Sequence, residues 1–217
     1  MMIMTKKEKK LDDDKMIVCN VNNFFHVNKR FGKLLTDSTI PIKINMLFMS
    51  NLNFQRYYSN IIIPNKHRII SLALSNLFII DNILSSAHSV SSFSRLEILI
   101  LDNIAAKHLE NILNYVLSLS KLCSLTIHAV DSVENSNYFY RKIFKLPVLK
   151  YCKVSFATNS NIESLSMSNN EYSPIEDLII ENTVNFDALD RLVSYVPELR
   201  HLEFRYFPDE RKRSETA

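Results

Sequence analysis

Residues Ser94 to Asn103 read SRLEILILDN, and this stretch decides the fold because its apolar spacing returns down the chain. Its three apolar positions are Leu96, Leu99 and Leu101. The same spacing recurs at Ile69/Leu72/Leu74, Leu122/Leu125/Ile127, Leu149/Cys152/Val154, Ile162/Leu165/Met167, Ile175/Leu178/Ile180 and Leu199/Leu202/Phe204. The intervals between first positions are 27, 26, 27, 13, 13 and 24 residues. Periods in this range indicate that one structural unit is repeated along the chain.

This L-x-x-L-x-L spacing predicts an α/β leucine-rich-repeat-like solenoid, built of parallel strands with helical returns. A return of some length is needed because a parallel neighbour cannot be reached by a tight turn. We expect strands near 68–75, 95–102, 121–128, 150–156, 163–168, 176–181 and 200–206. We expect helical returns over 77–86, 105–119, 133–146 and 186–196. The two 13-residue intervals are too short for a helix and predict extended returns.

The array is expected to begin with an atypical unit. Residues 39 to 46 alternate apolar and polar side chains, which is the period of a half-buried strand. Ile42 precedes Ile69 by 27 residues, so this strand fits the position of a first, capping repeat. A helix is predicted from Asn51 to Ile62, and it should end before Pro64 because proline removes a helical hydrogen bond.

Composition excludes several classes of function. The 217-residue chain has a formal net charge of only +3, spread along its length, and does not predict a nucleic-acid partner. Its single glycine, Gly32, argues against the glycine-rich loops of nucleotide sites. Six scattered histidines lack metal-ligand spacing, and no nucleophile elbow is present. We therefore expect no cofactor, no metal and no enzymatic activity.

Cysteine usage and hydropathy bear on location. The three cysteines have no C-x-x-C spacing and fit a reducing compartment. No apolar run approaches the roughly 18 residues that a membrane-spanning helix needs, so no membrane partner is expected. Residues 1–19 and 208–217 are predicted to be disordered charged tails. The sequence predicts a cytoplasmic protein, and the basic clusters Lys6 to Lys10 and Arg211 to Arg213 leave a nuclear address open.

Strand alternation predicts which side chains face away from the core. The residues between the apolar positions should form a ladder on the exposed face of the sheet. The ladder comprises Ser71, Ala73, Ile98, Ile100, Asp102, Ser124, Thr126, His128, Tyr151, Lys153, Ser164, Ser166, Asp177, Ile179, Glu181, His201, Glu203 and Arg205. Solenoids commonly bind partners on this face, whereas a merely solvated surface is the alternative. The predicted partner-binding residues are those of its charged end, Tyr151, Lys153, Asp177, Glu181, His201, Glu203 and Arg205.

Asparagines recur just after the apolar triplets. Asn76, Asn103 and Asn182 each follow a third apolar position by two residues. An amide side chain can accept a hydrogen bond from a loop N–H group, so we predict a structural role for them.

Residues 22 to 35, NNFFHVNKRFGKLL, have the spacing of an amphipathic helix. The helix resembles the final helix of an F-box, through its phenylalanines and an R-F-x-x-L-L ending formed by Arg30, Phe31, Leu34 and Leu35. The repeats further along the chain, such as RIISLALSN and PELRHLEF, resemble the irregular leucine-rich arrays appended to F-boxes. The opening L-P-x-E segment of an F-box is missing, so residues 20–38 resemble an incomplete F-box placed before a repeat domain at 39–207.

This resemblance implies a function. An F-box binds a Skp-type adaptor of a cullin ubiquitin ligase, and the repeats hold the protein substrate. It implies adaptor binding by Phe24, Val27, Phe31 and Leu34. The expected function is thus that of a non-catalytic substrate receptor with an unknown protein substrate. An adaptor-independent leucine-rich-repeat scaffold is the alternative.

Overall fold

The computed structural model describes residues 17–20, 39–84, 92–157, 172–184 and 192–206. Within these residues, eight strands form one sheet whose spatial order is the order of the chain. Every neighbouring pair of strands is parallel. The strands are β1 (Ile17–Asn20), β2 (Ile42–Met46), β3 (Ile69–Ser75), β4 (Ile98–Ile104), β5 (Ser124–Ser132), β6 (Tyr151–Ala157), β7 (Asp177–Val184) and β8 (His201–Tyr206).

Helices connect β2 to β3, β3 to β4, β4 to β5 and β5 to β6, as the spacing of the apolar triplets predicts. They are α1 (Asn51–Tyr57), α2 (Leu77–Leu84), α3 (Ala106–Val116) and α4 (Ser136–Phe144). In α3, the apolar stripe Leu109, Ile112, Leu113 and Val116 is buried, so this helix covers the core with one face. Of the return expected at 186–196, residues 192–194 are helical and 185–191 lie outside the described part.

The core is a row of apolar side chains that crosses the sheet. Its middle positions are aligned in register and fully buried, in the order Leu72, Leu99, Leu125, Cys152 and Leu178. Burying a leucine side chain stabilises a fold by about 1.5–3 kcal/mol, so this row supplies much of the driving force. The register prediction for the repeats is confirmed at these positions.

The 13-residue repeats require a correction. Cys152 on β6 pairs directly with Leu178 on β7, so the strand expected at 163–168 does not stand between them. Residues 163–168 themselves lie outside the described part. The interval between the first positions Leu149 and Ile175 is therefore 26 residues, like the others. The apolar spacing of Ile162, Leu165 and Met167 matches that of the other triplets and so predicted an extra strand. The prediction failed because an apolar triplet does not specify which strands pair.

The boundary of the N-terminal tail is also corrected. We expected residues 1–19 to be disordered, but Ile17–Asn20 forms β1 and pairs with β2. Ile17 and Cys19 point inward and are buried, opposite Ile42 and Ile44. The strand has only four residues beside a charged segment, which explains why its signal is weak.

The helix expected to end before Pro64 continues past it. After α1 come a π-helical turn at Tyr58–Ile62, a short α-helical stretch at Ile63–Asn65 and a 3-10 turn at Lys66–Arg68. Proline cannot donate the usual helical hydrogen bond, and a wider π turn just before it changes the bonding pattern. Pro64 stands at the start of the next stretch, where a missing N–H group costs little.

Among the described residues, three asparagines adopt left-handed backbone conformations where strands turn toward helices. The φ angles are 81° at Asn76, 60° at Asn103 and 53° at Asn135. Asparagine tolerates this region better than other non-glycine residues, so it serves in a chain with one glycine. The backbone N–H of Phe78 donates to Oδ1 of Asn76 at 2.9 Å, which confirms the structural role predicted for that amide. The side chain of Asn182 lies outside the described part.

A buried arginine, Arg68, links the turn before β3 to the loop before β2 by hydrogen bonds. Arg68 is 2 % exposed. Its Nε and Nη2 donate to the carbonyl oxygen of Ile40 at 3.0 and 2.7 Å. Its Nη1 donates to Oδ1 of Asn65 at 2.9 Å. These bonds join the segments that enter β2 and β3.

Candidate partner-binding face

One face of the sheet carries the side chains that alternate with the core row, and we call it the exposed face. In its first row, Ser71, Ile98, Ser124, Tyr151, Asp177 and His201 are Cα partners on successive strands from β3 to β8. In its second row, Ala73, Ile100, Thr126, Lys153, Ile179 and Glu203 are aligned in the same way. Asp102, His128, Ser155 and Glu181 lie two residues further along their strands. The strand register therefore builds a continuous surface from residues distant in sequence.

For the two rows on β3 to β8, the predicted ladder is confirmed with one exception, whereas Ser164, Ser166 and the side chain of Arg205 lie outside the described part. The side chains of both rows are half-buried or exposed, apart from Ala73, which is only 5 % exposed. Ala73 is aligned with Asn45 and Ile100, and its short methyl group is covered between longer neighbours. Ala73 is therefore not part of the contact surface.

The surface changes character from one end to the other. In the first two rows, β3 to β5 present small polar and aliphatic residues, whereas β6 to β8 present mostly charged and aromatic ones. Nζ of Lys153 lies 2.7 Å from Oε1 of Glu181, on the neighbouring strand. The hydrogen bond to Glu181 is the main cause that raises the pKa of Lys153, and Glu203 adds to it electrostatically. Lys153 is thus held charged among carboxylates.

The first row ends with an aromatic residue beside an ionisable pair. Tyr151 is aligned with Asp177, and Asp177 with His201. Nδ1 of His201 lies 3.7 Å from Oδ1 of Asp177, with both side chains about half exposed. These groups are open to a ligand approaching the sheet.

A second histidine pair was not predicted from the sequence. Nδ1 of His128 on β5 lies 2.8 Å from Oδ1 of Asp102 on β4. The side chains are 50 % and 42 % exposed, so the pair lies at the surface rather than in a cleft. Ser155 is aligned with His128 on the next strand, but no hydrogen bond between the two occurs in the described part of the chain. The sequence does contain a signal for this pair. Asp102 and His128 are 26 residues apart, which equals one repeat and therefore predicts neighbouring positions on adjacent strands.

The edge of the sheet at which strands β6 to β8 begin carries a charge network. Nζ of Lys150 lies 3.0 Å from Oε1 of Glu176 and 2.8 Å from Oε2 of Glu198. Nη1 of Arg200 lies 3.1 Å from Oε2 of Glu176. The hydrogen bond from Lys150 is the main cause that lowers the pKa of Glu176. Two cations and two carboxylates balance here, so the network joins the last repeats without giving this edge a net charge.

Outside the exposed face, a shallow groove of about 420 Å³ lies along the same edge of the sheet. Three prolines line it, Pro147, Pro174 and Pro197, together with Tyr172. In the described ranges, no group of three or more histidine, cysteine or acidic side chains could hold a metal ion. Among those ranges no helix has the length and apolar character required to cross a bilayer.

The structure brings six of the predicted partner-binding residues together. Tyr151 and Lys153 lie on β6, Asp177 and Glu181 on β7, and His201 and Glu203 on β8. Arg205 also lies on β8, and its side chain is outside the described part. The predicted adaptor-binding residues lie outside it as well, namely Phe24, Val27, Phe31 and Leu34.

Comparisons with known proteins give no further assignment. Neither models of protein families, nor curated protein sequences, nor solved structures match this chain. The arguments about function therefore come from the residues and their geometry.

Proposed function

We propose that this chain is a non-catalytic protein-recognition subunit, a leucine-rich-repeat-like solenoid that binds a partner protein on the exposed face. The observation that supports this proposal is the alignment of Tyr151, Asp177 and His201 on three neighbouring strands. Such a row places one residue of each repeat about 4.8 Å from the next, a spacing suited to contacting one elongated ligand. Repeat proteins use surfaces of this kind for recognition.

The contact can be tested with a photo-crosslinking residue placed on the exposed face. Ile179 lies between Lys153 and Glu203 in the second row and is the position to label. Leu117, exposed in the turn after α3, is the matched position away from the face. In cells that express the chain, we expect a discrete crosslinked partner from position 179 and none from position 117.

The same crosslink should depend on the charged end of the face. Replacing Tyr151, Lys153, Glu203 and Arg205 together should abolish the crosslink from position 179 while leaving the circular dichroism spectrum unchanged. An undiminished crosslink in this folded quadruple variant would move the binding surface elsewhere and contradict the proposal.

We further propose that the chain is a substrate receptor of a Skp/cullin/F-box ubiquitin ligase. Support comes from the resemblance of residues 20–38 to an incomplete F-box, with an R-F-x-x-L-L ending. Titration calorimetry against a Skp-type adaptor tests it, with the double variant Phe24→Asp and Phe31→Asp as control. Saturable binding that the double variant loses is the expected result. Absence of binding would favour the adaptor-independent scaffold.

A further inference from the structure

The charge on the exposed face differs in sign from that of the whole chain. The chain has a formal charge of +3. The described face nevertheless carries the carboxylates of Asp102, Asp177, Glu181 and Glu203, against the two ammonium groups of Lys153 and of Lys43, which is aligned with Ser71 at the far end of the first row. The ammonium group of Lys153 is already engaged, since Glu181 lies 2.7 Å from it. A partner rich in carboxylates would be repelled here, whereas cationic side chains would be attracted.

An aromatic ring adds an independent feature that favours a cation. Tyr151 is half-buried in the first row, directly beside Asp177. Glu203 lies on the same face one row away, on the strand beyond. A guanidinium group can stack on a tyrosine ring and donate hydrogen bonds to carboxylates in the same plane. Arginine meets both requirements better than lysine because its planar group has five donors.

The aliphatic and small polar side chains on β4 and β5 indicate which side chains of the partner accompany the cation. Strands β4 and β5 present Ile98, Ile100, Ser124 and Thr126, all half-buried. Ile98 and Ile100 offer apolar contact area to an aliphatic side chain. At about 4.8 Å per strand, the distance from β3 to β8 is about 24 Å, which an extended segment of about seven residues spans.

From these observations we infer that the occupant of the exposed face is an extended segment of a partner protein. Its arginine stacks on Tyr151 between Asp177 and Glu203, and its aliphatic residues lie over Ile98 and Ile100. This inference rests on the recognition function proposed above and specifies the chemistry of the partner.

The probe for this inference is a fluorescein-labelled peptide, IRSIRSIRSIRS, measured by fluorescence anisotropy at about 0.15 M salt, where surface charges are largely screened beyond about 8 Å. The test variant is Asp177→Asn with Glu203→Gln. The matched control is Asp81→Asn with Glu134→Gln, because both of those carboxylates are exposed outside the face and the change in net charge is the same. We expect at least tenfold weaker binding to the test variant and less than twofold weaker binding to the control.

A second comparison separates stacking from general charge attraction. Tyr151→Leu should weaken binding of the arginine peptide by at least threefold, and binding of the matched lysine peptide by less. Equal losses in the test and control variants, or no saturable binding to the unaltered chain, would overturn the inference. Tenfold tighter binding after removal of residues 208–217 would assign the face to this segment of the chain, which contains the basic cluster Arg211 to Arg213, and would also overturn the inference.

Failure of this inference can be told apart from failure of the proposed function. In one outcome, the quadruple variant loses the crosslink from position 179 while the arginine peptide binds equally well to the Asp177→Asn/Glu203→Gln variant and to its control. In that case the face still binds a partner, but one of other chemistry. If the crosslink persists in the quadruple variant, the recognition function itself is wrong.

Discussion

Nζ of Lys153 and Oε1 of Glu181 are 2.7 Å apart, so an ion pair joins β6 to β7 in the middle of the charged end of the exposed face. Because the hydrogen bond to Glu181 raises the pKa of Lys153, Glu181→Gln should lower that pKa toward its ordinary value. An NMR titration of ¹³C-labelled lysine side chains measures the change. The control is Glu198→Gln, which should lower the pKa of Lys150 instead, because Glu198 is its main partner. A Lys153 pKa that responds equally to both substitutions would contradict the pairing.

The alternation between core and face predicts unequal costs for neighbouring residues on one strand. Leu178 is fully buried in the core row, whereas Ile179 is half-buried on the exposed face. Leu178→Ala should lower the free energy of unfolding by about 2–5 kcal/mol, because it removes buried contacts and leaves a cavity. Ile179→Ala should cost about 1 kcal/mol or less, since its side chain is partly hydrated in the folded state. Urea titrations followed by circular dichroism compare them, and equal costs would mean that the strand register is wrong.

How far the sequence predicts this structure depends on which interactions are local. The positions of β3 to β8, apart from the additional strand expected at 163–168, can be derived from the repeating apolar triplets, because one strand and its return form a local unit. Strand pairing is not local. Ile162, Leu165 and Met167 have the same spacing as the other triplets. Nevertheless, β6 pairs directly with β7, and the segment that contains this triplet adds no strand between them. Likewise, β1 is only four residues long, and its burial depends on β2 beside it.

The candidate site shows the same division. Strand period two placed Tyr151, Asp177 and His201 on one face, and the register then made them neighbours. The contact between Asp102 and His128 was missed because each residue was considered on its own strand. Cross-strand contacts of this kind become predictable only when positions one repeat apart are compared.

The buried Arg68 predicts a large stability cost at a site remote from the exposed face. Arg68→Met would leave the carbonyl oxygen of Ile40 and Oδ1 of Asn65 without these donors. Each unsatisfied buried group costs about 1–3 kcal/mol, so the free energy of unfolding should fall by at least about 2 kcal/mol. Arg56→Met is the matched control on the exposed side of α1, and it should change stability by less than about 0.5 kcal/mol. Similar urea midpoints for the two variants would show that the Arg68 bonds do not stabilise the fold.

Two buried thiols predict that stability declines at alkaline pH. Burial raises the pKa of Cys19 to about 11 and that of Cys152 to about 12. In the unfolded chain both thiols ionise near pH 9, which favours unfolding as the pH rises from there toward 11 or 12. Their stabilising contribution is thus complete below pH 9 and is lost above it. Burial also raises the pKa of Tyr140, which acts in the same direction at higher pH.

The double variant Cys19→Ala and Cys152→Ala should therefore lose less stability between pH 9 and pH 10 than the unaltered chain. Cys123→Ala is the control, because that thiol is partly exposed. Urea titrations at pH 7, 8, 9 and 10 give the free energy of unfolding for each protein. The expected result is a clearly shallower decline above pH 9 in the double variant, since its unfolded state no longer gains two thiolates. The Cys123→Ala variant should show a smaller change in the same direction, because burial also raises the pKa of that partly exposed thiol. Parallel declines in all three proteins would show that other groups govern alkaline unfolding and that the two thiols are not buried as described.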